Sequence, residues 1–246
     1  MKFGVVFFHK KIRLIYNDRW IKKSVKSILD QTLKDFSIYE LNYGGDNYSV
    51  FEGLEIKNPH FFINQEKNNH ADAMNSIIEL AFQDGCDCVF NTNLDDFYDV
   101  NRFLIQSSYI KNGYDLVSSD FCYVEEKNGE DVVVFSHNIK KFGDIKENLD
   151  KGHNIIAHPC VAYSKKFWKE NKYIPEEIPK EDMLLWVRSL DKGFKFYICD
   201  EILLSYRLHQ NQVTGNNSIE LLNNSKEISQ KIVPKNNSFV DPITIK

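Results

Sequence analysis

Apolar residues come in short bursts along the first hundred positions, and the spacing inside each burst alternates between two patterns. "FGVVFF" at 3–8 is a continuous apolar run of strand length, whereas the stretch after Asp18 places Ile21, Val25, Ile28 and Leu29 on one face of a helix. "FSIYELNYGGDN" reads as a second strand ending at Gly44 and Gly45, and "HFFINQ" at 60–65 as a third. From 71 to 82, Met74, Ile77, Ile78 and Ala81 trace another helical face, which Gly85 stops before the apolar run from Cys86 to Phe90. Strand and helix in alternation predict a parallel sheet covered by helices, and such sheets bind ligands at the carboxyl ends of their strands. Asn93, Asp95 and Asp96, in "CVFNTNLDDFYDV", lie just past one such end.

The second half changes character. "YDLVSSDFCYVEEKNGEDVVVFSH" predicts a hairpin turning at Asn128 and Gly129, so antiparallel structure joins the parallel half. After Pro179, Met183, Trp186, Val187 and Leu190 fall on one helical face that Gly193 closes, which puts Glu181 and Asp182 in a first helical turn. "FKFYICDEILLSYRLH" supplies a further strand, and a short helix is expected around 218–232, before a C-terminal tail. The fold class is therefore α/β, a mixed but mostly parallel sheet flanked by helices with a small antiparallel addition.

Composition narrows the partners. With 31 basic and 35 acidic side chains in 246 residues, the formal net charge is −4 and no basic face for nucleic acid stands out. The N-terminal apolar run is too short for a signal-peptide core, and no window approaches the roughly 18 apolar residues of a transmembrane helix, so the expected setting is the cytoplasm. The 5 cysteines sit mostly in strand-like segments, where reduced thiols pack as small hydrophobes. Cys86 and Cys88, by strand alternation, are expected on one face.

Adjacent carboxylates at a strand end repel each other, and a hard divalent cation is the usual compensation. Turn formation and capping of the helix expected near Asp99 would use Asp95 and Asp96 equally well. Glu181 and Asp182 are likewise read two ways: as acids favoured by a helix dipole, or as a general base toward a substrate hydroxyl. His209 is a candidate transition-metal ligand or a plain loop residue, and Arg207 a partner for a diphosphate or for any acid.

The order of these stretches resembles that of the family 2 glycosyltransferases, enzymes of GT-A fold that use nucleotide sugars. "YNDRWIKKSVKSILDQTLKDFSIYELNYGGDN" is similar to the family's opening strand, helix and acid-bearing turn, and "NNHADAMNSII" to the helix that follows. "NLDD" resembles its acidic metal motif, and "PKEDMLLWVRSLDKGFKFYICDEILLSYRLHQNQVT" its E-D-x-x-L-W-x-R helix and Y-R-x-H stretch. The likeness departs at Asn93, which replaces the motif's first acid, at Asn42 and Tyr43 in the turn, and at Met74 in the middle helix.

The resemblance implies a single GT-A domain over 1–215, with a nucleotide-sugar-binding half at 1–100, an acceptor-binding half at 101–215, and a C-terminal helix and tail at 216–246. It implies that Asp95, with Asp96 and His209, holds Mn2+ or Mg2+ against a donor diphosphate. Asn42, Tyr43, Asn93 and Arg207 would contact the nucleotide, and Asp182, with Glu181 as substitute, would deprotonate an acceptor hydroxyl. The implied reaction inverts the anomeric centre in one displacement, with a UDP-sugar as donor and a glycan or other hydroxyl as acceptor. A nucleotidyltransferase would carry a Gly-rich basic loop after the first strand, and "HKKIRLIYNDR" contains no glycine. A sugar- or nucleotide-binding module without turnover is the other reading.

Overall fold

A computed structural model describes residues 1–210, so the helix expected at 218–232 and the tail lie outside the described residues. The strands are β1 (Phe3–His9), β2 (Ser37–Asn42), β3 (His60–Asn64), β4 (Cys88–Asn91), β5 (Phe97–Tyr98), β6 (Leu116–Lys127), β7 (Glu130–Ser136), β8 (Ala162–Ser164) and β9 (Phe196–Arg207). The helices are α1 (Asp18–Leu29), α2 (His70–Gln83), α3 (Arg102–Lys111), α4 (Ile145–Asp150), α5 (Lys165–Glu170) and α6 (Glu181–Asp191). All nine strands form one sheet, in the order β3-β2-β1-β4-β8-β6-β9-β5, with β7 paired to β6.

The parallel half is as expected: β1 pairs in parallel with both β2 and β4, and β2 with β3. The expected hairpin is present too, β6 and β7 being joined through Asn128 and Gly129 at φ 53° and 80°. Positive φ at both central residues matches the right-handed twist of the strands they connect. Among the strands and α-helices, β5, α4, α5 and β8 were not expected, and the last, only three residues long, inserts antiparallel between β4 and β6.

Side-chain alternation splits the core into two layers. Phe3, Val5 and Phe7 of β1 pack with Ile21, Val25 and Ile28 of α1 and Phe103 of α3. Val6 faces the other way, toward Ile77 and Ile78 of α2 and Trp186 of α6. Asn17 and Asn69 cap α1 and α2, accepting from the Trp20 and Asp72 amides at 3.0 and 2.9 Å. The third helix, expected near Asp99, starts at Arg102, and on it Phe103 is buried while Leu104 is 51% exposed. All five cysteines are buried and free, but Cys86 joins the α2 layer and Cys88 the α1 layer, because Cys86 precedes the strand and escapes its alternation. Gly4 makes room for this, since a Cβ there would lie 3.0 Å from Cys86 Sγ and 3.1 Å from the Tyr39 ring.

Across β1–β3 a buried carboxylate ties the parallel half together. Glu40 accepts from His9 at 2.9 Å, His60 at 2.8 Å, the Ser49 hydroxyl at 2.6 Å and the Val50 amide at 2.7 Å. Burial alone would push its pKa up; the hydrogen bonds of His60, His9, Ser49 and Val50 outweigh that and hold it at about 2. A folded pKa below the ordinary 4.5 stabilises fully above that value and is lost as pH falls toward 2. Glu40→Gln should therefore cost about 3 kcal/mol near pH 7, with most of the difference gone near pH 2. Urea melts of both proteins across that range check this, and a difference that stays constant down to pH 2 would refute the assignment.

Candidate active site

Strand order reverses at β1, with β2 and β3 on one side and β4 on the other. The loops after β1 and β4 must therefore part there, leaving a crevice beyond the strand ends. A cavity of about 870 Å³ occupies that position. Its lining runs from Lys10, Lys11 and Tyr16 after β1, through Tyr43 after β2 and Asn93 and Asp95 after β4, to Glu181 and Asp182 at the start of α6. The size suits a small-molecule ligand.

Of the residues singled out in the sequence, Tyr43, Asn93, Asp95, Glu181 and Asp182 line this cavity, and Asn42, Asp96, Arg207 and His209 do not. His209 stands beside Asp95, its Nε2 3.0 Å from Oδ2, with its ring against Tyr16 and Trp20 at 5.2 and 5.0 Å. Asn93 is fixed through its backbone, the amide donating to the Tyr98 hydroxyl at 2.8 Å and the carbonyl accepting from Ser24 at 3.0 Å.

The other three are turned inward. Asn42 spends its side chain on the loop that follows, donating to the carbonyls of Asp46 at 2.5 Å and Tyr48 at 2.9 Å and accepting from the Gly44 amide at 3.0 Å. Asp96 is 1% exposed; Oδ1 accepts from the Arg207 amide at 2.9 Å, and Oδ2 has no hydrogen-bond partner among the described residues. Burial and then the Asp95 charge push its pKa well up, against the pull of Arg207 and Arg102. Arg207 lies outside the cavity lining: its Nε donates to the Asp95 carbonyl at 2.9 Å and its guanidinium pairs with Asp131 while covering the Trp20 ring. Burial would raise the Asp131 pKa, but Arg207 and Lys23 hold it at about 2.

At the far wall, Glu181 is hydrogen-bonded to His70, the first residue of α2, at 2.7 Å. Burial raises and His70 lowers the Glu181 pKa, with a net fall, so this carboxylate is ionised and already partnered. Asp182 accepts from Asn154 at 3.1 Å and from the Met183 amide at 2.6 Å. His158 also lines the cavity; burial lowers its pKa despite nearby Asp182 and Glu181, and its Nε2 lies 2.8 Å from the Tyr173 hydroxyl.

Sequence reasoning missed Tyr16, His70 and His158. Tyr16 hydrogen-bonds Asp95, and its pKa is pushed up by burial and by the charges of Asp95 and Asp96. Its signal was present in the sequence, as an aromatic directly before the Asn17 cap. His70 follows the Asn69 cap in the same way.

For a divalent metal the fit is partial in a defined manner. No group of three or more His, Cys, Asp or Glu side chains converges among the described residues. Asp95 and His209 supply two donors, which suits a hard cation that takes its remaining ligands from a substrate phosphate and water.

The fold that builds this crevice has counterparts among known proteins. No family model matches the chain. It is 27% identical over 201 residues to an uncharacterized glycosyltransferase of Methanocaldococcus jannaschii, covering 78% of this chain and 68% of the relative. It is 25% identical over 208 residues to the O-antigen biosynthesis glycosyltransferase WbnJ of Escherichia coli, covering 78% and 76%. S. aureus TarS 1–349 in complex with UDP shares the fold at a TM-score of 0.60 and 13% identity, over 85% of this chain and 61% of TarS 1–349. Mannosyltransferase PcManGT from Pyrobaculum calidifontis, in complex with GDP-Man and Mn2+, does so at 0.62 and 10%, over 85% and 57%. The fold is that of the GT-A glycosyltransferases. The resemblance read from the sequence, to glycosyltransferases of that fold, is borne out.

The Arg207 clamp generates a stability prediction. Arg207→Ala strips the Asp95 carbonyl of its partner and leaves Asp131 only Lys23 and Arg19, and should cost roughly 3 kcal/mol in denaturant melts, the low end for a broken buried pair. Arg207→Lys, which keeps the charge but loses the fork, should fall between. A cost below about 1 kcal/mol for Arg207→Ala would be that of a surface pair and would contradict the clamp.

Proposed function

We propose that this chain transfers a sugar from a nucleotide-diphosphate sugar, with UDP-sugars first among the donors, to an acceptor hydroxyl. The observation that carries the reading is that Asp95, at the end of β4, and Asp182, at the start of α6, line one cavity at the switch point. Relatives named glycosyltransferases and neighbours solved with UDP or GDP-Man support it. Residues 1–100 act as the donor half and 101–215 as the acceptor half.

Asp95, oriented by Tyr16 and with His209 beside it, would hold Mn2+ or Mg2+, which when bound offsets the charge that grows on the departing diphosphate. Tyr43 and Asn93 contact the nucleoside. Asp96 and Arg207 act one layer deeper than the sequence implied, fixing the turn that presents Asp95. Asp182 accepts the proton of the attacking hydroxyl as that oxygen bonds to the anomeric carbon and the bond to the diphosphate breaks, inverting the centre. Glu181 is the substitute base, its basicity reduced by the His70 hydrogen bond that lowers its pKa.

Thermal unfolding with UDP, GDP and dTDP, each with and without Mn2+, tests the donor half. A ligand at about 100 times its Kd should add about 2.7 kcal/mol of stability, for one nucleotide, with the metal, and not in Asp95→Ala. No stabilisation by any of the three would reject the reading. Asp182→Asn should keep the nucleotide effect and slow nucleoside diphosphate release across a donor and acceptor panel by roughly 10²–10⁴-fold. Transfer at the wild-type rate in that variant would move the base elsewhere.

A further inference from the structure

On the side of the cavity built by the antiparallel strands, Phe121 and Tyr123 of β6 and Tyr206 of β9 line the wall together. Phe121 and Tyr123 meet edge to face at 5.2 Å, and Tyr123 and Tyr206 at 5.6 Å. Behind them a column of rings fixes Phe121: His137 stacks on it at 4.6 Å and 10°, and Phe142 stacks on His137 at 4.6 Å and 14°. His137 is held in turn, its Nδ1 2.5 Å from Asp120 Oδ1, while both Asp120 oxygens accept from the Ile139 amide at 2.9 and 3.0 Å. Phe121 is thus positioned before any ligand arrives, which lowers the ordering cost of binding.

We infer that these three rings form the acceptor subsite and that the acceptor is a saccharide, an inference that rests on the transfer reading above. A pyranose ring has one face of C–H bonds, weakly positive, which suits the negative face of an aromatic ring. Its edge is a belt of hydroxyls, and Asn154, His158, Lys180 and Asp182 line the same cavity as the three rings with donors and acceptors for such a belt. An alkyl or prenyl acceptor would cover those polar groups without pairing them, at a desolvation cost. A peptide's amides could use those polar groups, but a peptide presents no flat face of C–H bonds to set against three rings. The alternation of apolar face and polar rim is a saccharide's chemistry.

Saturation-transfer NMR on the full chain, with UDP, GDP or dTDP and Mn2+ present, tests this with four methyl glycosides (gluco, galacto, manno and N-acetylglucosamine), a Ser/Thr peptide and octanol as probes. At least one glycoside should receive saturation, strongest at the C–H protons of one ring face. Its affinity should fall about three- to tenfold in Phe121→Leu, which keeps apolar bulk against His137, and in Tyr206→Ala, while Tyr206→Phe keeps it. No glycoside signal, a signal of equal strength in both ring-removing variants, or saturation of the peptide or octanol alone would overturn the inference. Wild-type protein stabilised by a nucleotide but silent toward every glycoside would sink the saccharide subsite alone, whereas silence toward nucleotides as well would sink the transfer reading beneath it.

Discussion

A guanidinium that is 1% exposed must have its charge answered at close range, and Arg207 is answered from several directions at once. Asp131 on the hairpin neutralises it, the Asp95 carbonyl accepts from it, and its own backbone amide caps Asp96. These contacts tie the turn after β4 to the end of β9, positions 111 or 112 residues apart in the chain. The buried ion pair is costly to assemble and more costly to break, so it holds the turn in one geometry. Asp95 faces the cavity because Asp96 is committed to Arg207.

The rest of the site follows from that commitment. With the β4 turn fixed, His209, two residues beyond Arg207, falls beside Asp95, and Tyr206, one residue before it, falls on the cavity wall. The opposite wall is set independently, by His70 and Glu181 joining the first turns of α2 and α6. Two long-range pairs of opposite polarity therefore frame one crevice, and the strand reversal at β1 supplies its floor.

Much of this was legible in the sequence where the signal is local. The helices α1, α2 and α6 declare themselves by apolar spacing, and Asn17 and Asn69 mark where two of them start. The pairing of "NLDD" with "YRLH" was legible only through the order of motifs, since no local rule joins residues so far apart. What stayed hidden was direction. The turn between β4 and β5 follows no side-chain period, so residue type alone could not separate Asp95 from Asp96, or show that Asn42 and Arg207 turn inward. Strand β8 was illegible for another reason: three residues, Ala162–Ser164, carry no period, and their pairing with β4 and β6 is wholly tertiary.

That small strand has a mechanical meaning. Because β8 is hydrogen-bonded to β4 on one side and to β6 on the other, the parallel strands β1–β4 and the strands β6, β7 and β9 belong to a single continuous sheet. A sheet stitched across its middle has no seam about which its two sides could swing apart. The crevice therefore takes its outline from the segments above that sheet, among them the stretch after β1 that carries the 83% exposed Leu14, and not from a gap between two separate sheets.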